Sequence, residues 1–167
     1  MSDDLREHPS KVADDRASLT SFLDYQRATL AMKCEGLSDE QLRRRAVATS
    51  GLTLLGLVRH AAEVERGWFR LVLGGEPVSA LWPRTDGGSG EWRVEDADAG
   101  EAFAAWRTAC EGSRAVTEGI GSLDDRVEFR GEAISLRYVL THMIEEYARH
   151  NGHADLLREA IDGTVGE

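Results

Sequence analysis

The 167-residue chain carries 30 Asp and Glu against 20 Lys and Arg, for a formal net charge of −10, and 41% of its residues are hydrophobic. This composition is typical of one globular domain, and the acidity argues against nucleic acid and membrane surfaces as partners because both are anionic. No apolar run reaches the length of a membrane span, and the acidic start is unlike a signal peptide, so we expect a cytoplasmic protein.

The beginning of the chain predicts a leader, a long helix and a short one. Residues 1–13 are expected to be a flexible leader, and the apolar spacing that follows predicts a helix over Asp14–Glu35. The run Ser38–Gln41 has the sequence of a capping box, which indicates that a short helix opens there.

A second long helix is predicted over Leu52–Leu73, followed by a long irregular connection over residues 76–97 that contains the glycine-rich run 87–90. Long connections in compact domains are usually functional or mobile. Trp82 and Trp92 lie on this connection, where they either pack over the mouth of a pocket or fix the loop to the bundle. We favour fixation, because large aromatic side chains mostly serve burial.

The remaining elements complete a helical domain. A third helix is predicted over residues 98–120, a short extended piece over Arg126–Phe129, and a fourth helix from Ser135 to Ile161, with residues 164–167 as a tail. Four long helices with little strand signal predict an all-α, four-helix bundle over residues 14–163.

The two cysteines, Cys34 and Cys110, lie in predicted helices. In a reducing compartment we expect no disulfide between them, and each is interpreted as a small apolar residue.

The fourth helix carries four potential metal ligands on one stripe: His142, Glu146, His150 and His153. At about 100° per residue these side chains fall within roughly 80° of one another. Neighbouring apolar residues predict that the stripe faces the core, where polar groups are costly unless each finds a partner. A metal ion would satisfy several of them together.

Glu146 and His150 are spaced i, i+4, so both can reach one ion, and His60 is the histidine that lies inside an apolar helix elsewhere. Bundle metal sites are built from side chains on facing helices, and three protein ligands leave a position open for water or substrate. Two plainer interpretations remain: His60 as a hydrogen-bonded core histidine, and Glu146–His150 as a surface pair.

Two stretches of the sequence, Thr53–Phe69 and His142–Glu159, resemble helix 2 and the last helix of the DinB-like (YfiT-like) metal-binding superfamily. The nearest branch is the actinobacterial mini-circle group, a domain of unknown function, and the likeness extends from about residue 14 to 163. It implies an up-down-down-up bundle with three metal ligands.

Many relatives in that superfamily use three histidines, whereas here Glu146 stands where the first histidine of the last helix would be. A His/Glu/His set, here His60, Glu146 and His150, resembles the zinc site of mycothiol-dependent maleylpyruvate isomerase. The resemblance implies a divalent metal, with zinc expected and nickel, iron or manganese as alternatives. His153 stands where relatives often carry Gln, so we interpret it as an outer partner of the ligands or as pocket lining, and His142 likewise.

The leading hypothesis for function is a metal-dependent transferase that uses a low-molecular-weight thiol of the mycothiol type and an electrophilic substrate. Arg149 and Arg158 could then face a carboxylate of the thiol or substrate, although most arginines lie exposed. His153 is also a candidate catalytic residue.

The second hypothesis is a hydrolase or isomerase that uses metal-bound water, with Glu63, one turn from His60, assisting proton transfer. The third is a non-enzymatic bundle that holds a metal and binds a small molecule or a partner protein. A homodimer is a further expectation, because such bundles often pair.

Overall fold

The computed structural model describes residues 6–83 and 90–166, and it confirms an all-α bundle with one small β-hairpin. Its helices are α1 (Asp15–Cys34), α2 (Asp39–Arg43), α3 (Leu54–Glu65) with a π-helical continuation (Arg66–Leu73), a 3-10 helix (Gly90–Trp92), α4 (Ala99–Gly119) and α5 (Leu136–Asp162). Because the π-helical turns follow α3 directly, the two form one long helix, as predicted. Among the described residues, no helix is both long and apolar enough to cross a bilayer.

The helices begin and end at residues whose chemistry favours those positions. The predicted capping box before α2 is present, since Ser38 Oγ accepts from the Gln41 amide and Gln41 Oε1 accepts from the Ser38 amide. Thr53 caps α3 and Ser135 caps α5, each with a side-chain hydroxyl oxygen that accepts a hydrogen bond from a backbone amide. Gly163 ends α5 with a φ of 80°, a left-handed conformation that glycine adopts without strain.

Contacts between the four long helices establish their directions. Helix α5 runs parallel to α1 and antiparallel to α3, and α4 runs antiparallel to α1, which gives the up-down-down-up arrangement. The contacts that fix these directions are Asp15–Arg137 and Lys33–Asp155 between α1 and α5, His60–Glu146 and Trp68–His142 between α3 and α5, and Arg16–Ile120 and Asp24–Arg114 between α1 and α4.

The predicted extended piece is strand β1 (Arg126–Phe129), and it pairs antiparallel with β2 (Glu132–Ser135), which the sequence did not predict. The tight turn between them has positive φ at both of its residues, Arg130 at 54° and Gly131 at 84°. This geometry matches the twist of a two-stranded ribbon and leads the chain directly into α5.

The ends and the long connection lie partly outside the described residues: this holds for 1–5 of the predicted leader, for 84–89 of the long connection, which include most of its glycine-rich run, and for 167 of the tail. Within the leader, the Arg6 guanidinium donates to Thr29 Oγ1 and lies over the Tyr25 ring. Both cysteines are buried and free, as expected.

Candidate metal centre

Three side chains from two facing helices converge at one point between α3 and α5. His60 Nε2 lies 3.0 Å from Glu146 Oε1, and His150 Nε2 lies 3.2 Å from the same oxygen. One ligand atom from each residue lies within 4.8 Å of the others. The structure therefore brings together the His60, Glu146 and His150 that the sequence analysis proposed as ligands.

The spacing of these atoms fits a divalent cation. Ligand atoms about 2.1 Å from one tetrahedral ion lie roughly 3.4 Å apart, close to the two distances measured around Glu146 Oε1. Two imidazole nitrogens directed at a single carboxylate oxygen also concentrate polar groups in a partly buried place. The side chains of His60, Glu146 and His150 are only 20%, 23% and 17% exposed, so the site is sheltered yet open to solutes.

The protonation states at the centre suit metal binding. Partial burial favours the neutral form of Glu146, but the hydrogen bond from His60 and the proximity of His150 outweigh it and lower the pKa of the carboxyl. Burial, together with repulsion from His60, lowers the pKa of His150. Near neutral pH the centre therefore presents an anionic carboxylate and a neutral imidazole at position 150, the forms that bind cations.

The 3-10 helix of the long connection forms one wall of the centre. The Trp92 ring stacks on His60, with centroids 4.8 Å apart and planes 25° apart. Glu91 Oε1 lies 3.5 Å from His60 Nδ1, a buried nitrogen that makes no hydrogen bond within the described part of the chain. Trp92 therefore covers the site, which is the alternative to the loop-fixing role that we favoured.

Trp82 and Glu63 instead fix the loop. The Arg59 guanidinium lies 4.4 Å above the Trp82 ring, and Glu63 Oε1 accepts from the amides of Leu81 and Trp82. The other Glu63 oxygen accepts from Arg66. The carboxylate that we considered for proton transfer is thus engaged in holding the connection against α3.

His153 lies beside the centre, with its Nδ1 3.3 Å from Nδ1 of His150. One nitrogen of this pair must donate and the other accept, so His153 can hold the His150 ring with its Nε2 free for a metal. The role of His153 as an outer partner of a ligand stays a prediction, and the structure places its ring beside that of His150.

The other predicted residues lie apart from the ligand atoms. His142 packs against Trp68, with ring centroids 4.6 Å apart, and stacks on Tyr138. Arg149 is exposed and pairs with Glu145. Arg158 pairs with Asp162 and donates to backbone carbonyls at the end of α1. In the structure both guanidinium groups therefore form ion pairs with carboxylates of their own helix.

The sequence analysis missed a buried polar network that lies next to the centre. The carboxylate of Glu65, which is fully buried, receives two hydrogen bonds of 2.7 Å from Arg27 and one of 2.8 Å from the Tyr147 hydroxyl. Trp106 Nε1 donates to that hydroxyl, and Cys110 Sγ lies 3.7 Å from Glu65. The one available signal was that Glu65 falls on the apolar stripe of its helix.

Comparison with known proteins identifies the family. A family model described as Mycothiol-S-transferase matches residues 18–163, so the chain belongs to the mycothiol S-transferase family. No curated protein matches the chain. The matched region contains every residue of the candidate centre and all of the four long helices except the first three residues of α1, and it agrees with the resemblance to mycothiol-dependent proteins seen in the sequence.

Proposed function

We propose that this protein is a divalent-metal-dependent transferase that joins the sulfur of a mycothiol-type thiol to an electrophilic small molecule. The observation that carries the proposal is the convergence of His60, Glu146 and His150 in a chain of the mycothiol S-transferase family. The two imidazoles and the carboxylate would hold the cation. A cation bound there supplies the positive charge that keeps a nearby thiol in its thiolate form.

The protein's own thiols are unsuited to act as the nucleophile. Burial raises the pKa of both Cys34 and Cys110 to about 12, so neither is ionised near neutral pH. Cys110 also lies against the Glu65 carboxylate in the core rather than at the candidate centre. A transferase built on this chain therefore needs a thiol from solution, which is consistent with its family.

Aromatic side chains next to the centre offer a surface for the electrophile. One turn before Glu146 on α5, His142 stacks with Tyr138 and packs on Trp68 of the π-helical segment. Tyr138 is 54% exposed, so this trio presents an aromatic face to solvent. We assign His142 to substrate contact on this basis, and planar or apolar electrophiles are the class that it would favour.

The test combines purified protein, zinc, mycothiol and the general electrophile 1-chloro-2,4-dinitrobenzene. In the reaction a carbon–sulfur bond forms and the carbon–chlorine bond breaks; chloride leaves with the bonding electrons, and the thiol proton passes to the buffer. Formation of the coloured thioether is expected with wild-type protein and with Glu159→Gln, a matched change at an exposed position of the same helix. It should be lost in Glu146→Gln and His150→Ala.

If no thioether forms with any combination of low-molecular-weight thiol and divalent metal, the proposal is overturned. Consumption of an ester or amide in thiol-free buffer would instead favour the hydrolase alternative. Measuring both reactions on one preparation separates the two activities.

A further inference from the structure

We propose that Glu91 is a positioning residue for the metal centre: its carboxylate accepts a hydrogen bond from His60 Nδ1–H and so presents Nε2 as the ligand atom. The inference rests on the proposed metal site, but it concerns a residue that lies outside the ligand set. Glu91 belongs to the connection between α3 and α4, 31 positions after His60 in the sequence.

The geometry around His60 Nδ1 carries the inference. This nitrogen is buried, makes no hydrogen bond within the described residues, and has Glu91 Oε1 at 3.5 Å. The Glu91 side chain is only 13% exposed, so its carboxylate is held beside the imidazole rather than directed into solvent. A small closure of this gap on metal binding would complete a carboxylate–imidazole hydrogen bond.

The chemistry of imidazole gives this contact its role. A neutral ring carries one proton, and a metal on Nε2 requires that proton to be on Nδ1. Metal-binding histidines usually donate the second N–H to a carboxylate, a carbonyl or water, which fixes the ring and raises ligand basicity. His150 has His153 at its own Nδ1, so each imidazole of the centre would have an outer partner.

Two glycines leave the space that the 3-10 helix needs to hold Glu91 beside His60 Nδ1. A Cβ at Gly56, one turn before His60, would lie 3.1 Å from the Trp92 ring, and a Cβ at Gly90 would lie 2.3 Å from the Trp82 carbonyl oxygen. Because neither glycine carries a side chain, Trp92 can pack against α3 and stack on His60. Trp92 then holds the residue before it, Glu91, at the imidazole.

The experiment measures zinc affinity by competition with a chromogenic chelator, on the full-length protein at constant pH. We expect Glu91→Gln and Glu91→Ala to weaken zinc binding by about 10- to 100-fold, the range found for outer partners of metal ligands. Glu95→Gln is the matched control, because Glu95 lies on the same connection, is exposed and pairs with Arg45. This control should bind zinc like the wild type.

A second readout distinguishes positioning from a general effect on folding. In zinc-loaded protein with ¹⁵N-labelled histidine, the His60 Nδ1 proton should be protected from exchange in the wild type and exposed in Glu91→Ala. Glu91→Asp keeps the negative charge on a shorter side chain and should recover part of the zinc affinity. Far-ultraviolet circular dichroism of the metal-free variants checks that each one is folded.

Equal zinc affinity in Glu91→Gln, Glu91→Ala and the wild type would overturn the role of Glu91, and so would a Glu91→Asp variant no better than Glu91→Gln. Neither result affects the proposed transferase activity. Conversely, a Glu91-dependent zinc site without any thiol transfer would overturn the proposed function and leave this inference intact. A wild type that binds no divalent metal would overturn both.

Discussion

Glu65 and Glu146 are carboxylates on facing helices, and Tyr147, which hydrogen-bonds Glu65, is the residue next to Glu146. Their surroundings nevertheless differ. Glu65 is fully buried and receives three hydrogen bonds from Arg27 and Tyr147, two of them from the guanidinium in a bidentate pair. Glu146 is partly exposed, and one of its oxygens faces two imidazoles at once.

The difference separates a structural polar cluster from a candidate site. Around Glu65, donors and acceptors match, so the network stabilises one arrangement of α1, α3, α4 and α5. Around Glu146, ligand atoms are concentrated in a partly exposed place, an arrangement that a cation would complete. The same residue types thus form a structural network where every polar group has a partner. They form a candidate metal site where several ligand atoms converge on one point.

The largest expected effect comes from breaking the buried pair. Glu65→Leu should destabilise the protein by about 3–5 kcal/mol, because it leaves the Arg27 charge buried without its partner. Urea unfolding followed by circular dichroism measures the loss. The double variant Arg27→Met/Glu65→Leu should recover most of it, since both charges are then removed. A double variant as unstable as the single one would contradict this explanation.

The same kind of change at the metal centre should behave in the opposite way. We expect Glu146→Gln to alter the stability of the metal-free protein by less than about 1 kcal/mol, because the carboxylate is partly solvated and its loss leaves no buried charge unpaired. Zinc at 100 times its Kd should stabilise the wild type by about 2.7 kcal/mol and the variant by none. Thermal unfolding with and without zinc checks both statements.

Glu145→Gln is the control for this comparison, because Glu145 is exposed and pairs with Arg149 on the surface of the same helix. It should retain the full stabilisation by zinc. Stabilisation of Glu146→Gln equal to that of Glu145→Gln would contradict the assignment of Glu146 as a ligand.

The two clusters also show what sequence reasoning reaches. The helix bounds and the pair of Glu146 and His150 could be predicted because amphipathic spacing and an i, i+4 pair are local patterns. His60 lies 86 residues from Glu146, and its place in the set depended on the resemblance to a metal-binding superfamily. No resemblance pointed to the Glu65 network, whose partners lie 38 and 82 residues away and meet only through tertiary packing. Within α3, Glu63 and Glu65 look alike locally, yet the first anchors a loop and the second lies in the core.

The role of the long connection was out of reach for a related reason. Glu91 and Trp92 follow an irregular stretch with no periodicity, so nothing in the sequence fixes which surface they contact. The aromatic residues of this stretch were recognised, but which one covers the site depends on the glycines that let the chain approach α3 closely.

The cysteines provide a third, smaller test of the comparison. With pKa values of about 12, raised mainly by burial, Cys34 and Cys110 should have only about one thiol in ten thousand ionised at pH 8. We expect 5,5′-dithiobis(2-nitrobenzoic acid) to modify both about a thousandfold more slowly in native protein than in urea. Rapid modification of native Cys110 would indicate that the Glu65 network opens readily. Replacing Cys34 with Ala assigns the two rates.

The smallest expected effect concerns the slot that Gly56 leaves for Trp92. In a helix interior, Gly→Ala usually stabilises by about 1 kcal/mol, and Gly112→Ala on α4 should do so because a methyl there meets only an ordinary contact at 3.7 Å. At Gly56 the methyl would be 3.1 Å from the Trp92 ring and 3.0 Å from Thr53 Oγ1. Crowding should cancel the gain, so Gly56→Ala should fall short of Gly112→Ala by about 1 kcal/mol.

Zinc affinity then decides what the slot is for. If Trp92 holds the wall of the centre against His60, its displacement in Gly56→Ala should weaken zinc binding several-fold, whereas Gly112→Ala should leave it unchanged. A Gly56→Ala variant that is stabilised like Gly112→Ala and binds zinc like the wild type would show that the stacked ring is dispensable. The helix would then hold His60 without help from the connection, and the centre would depend on α3 and α5 alone.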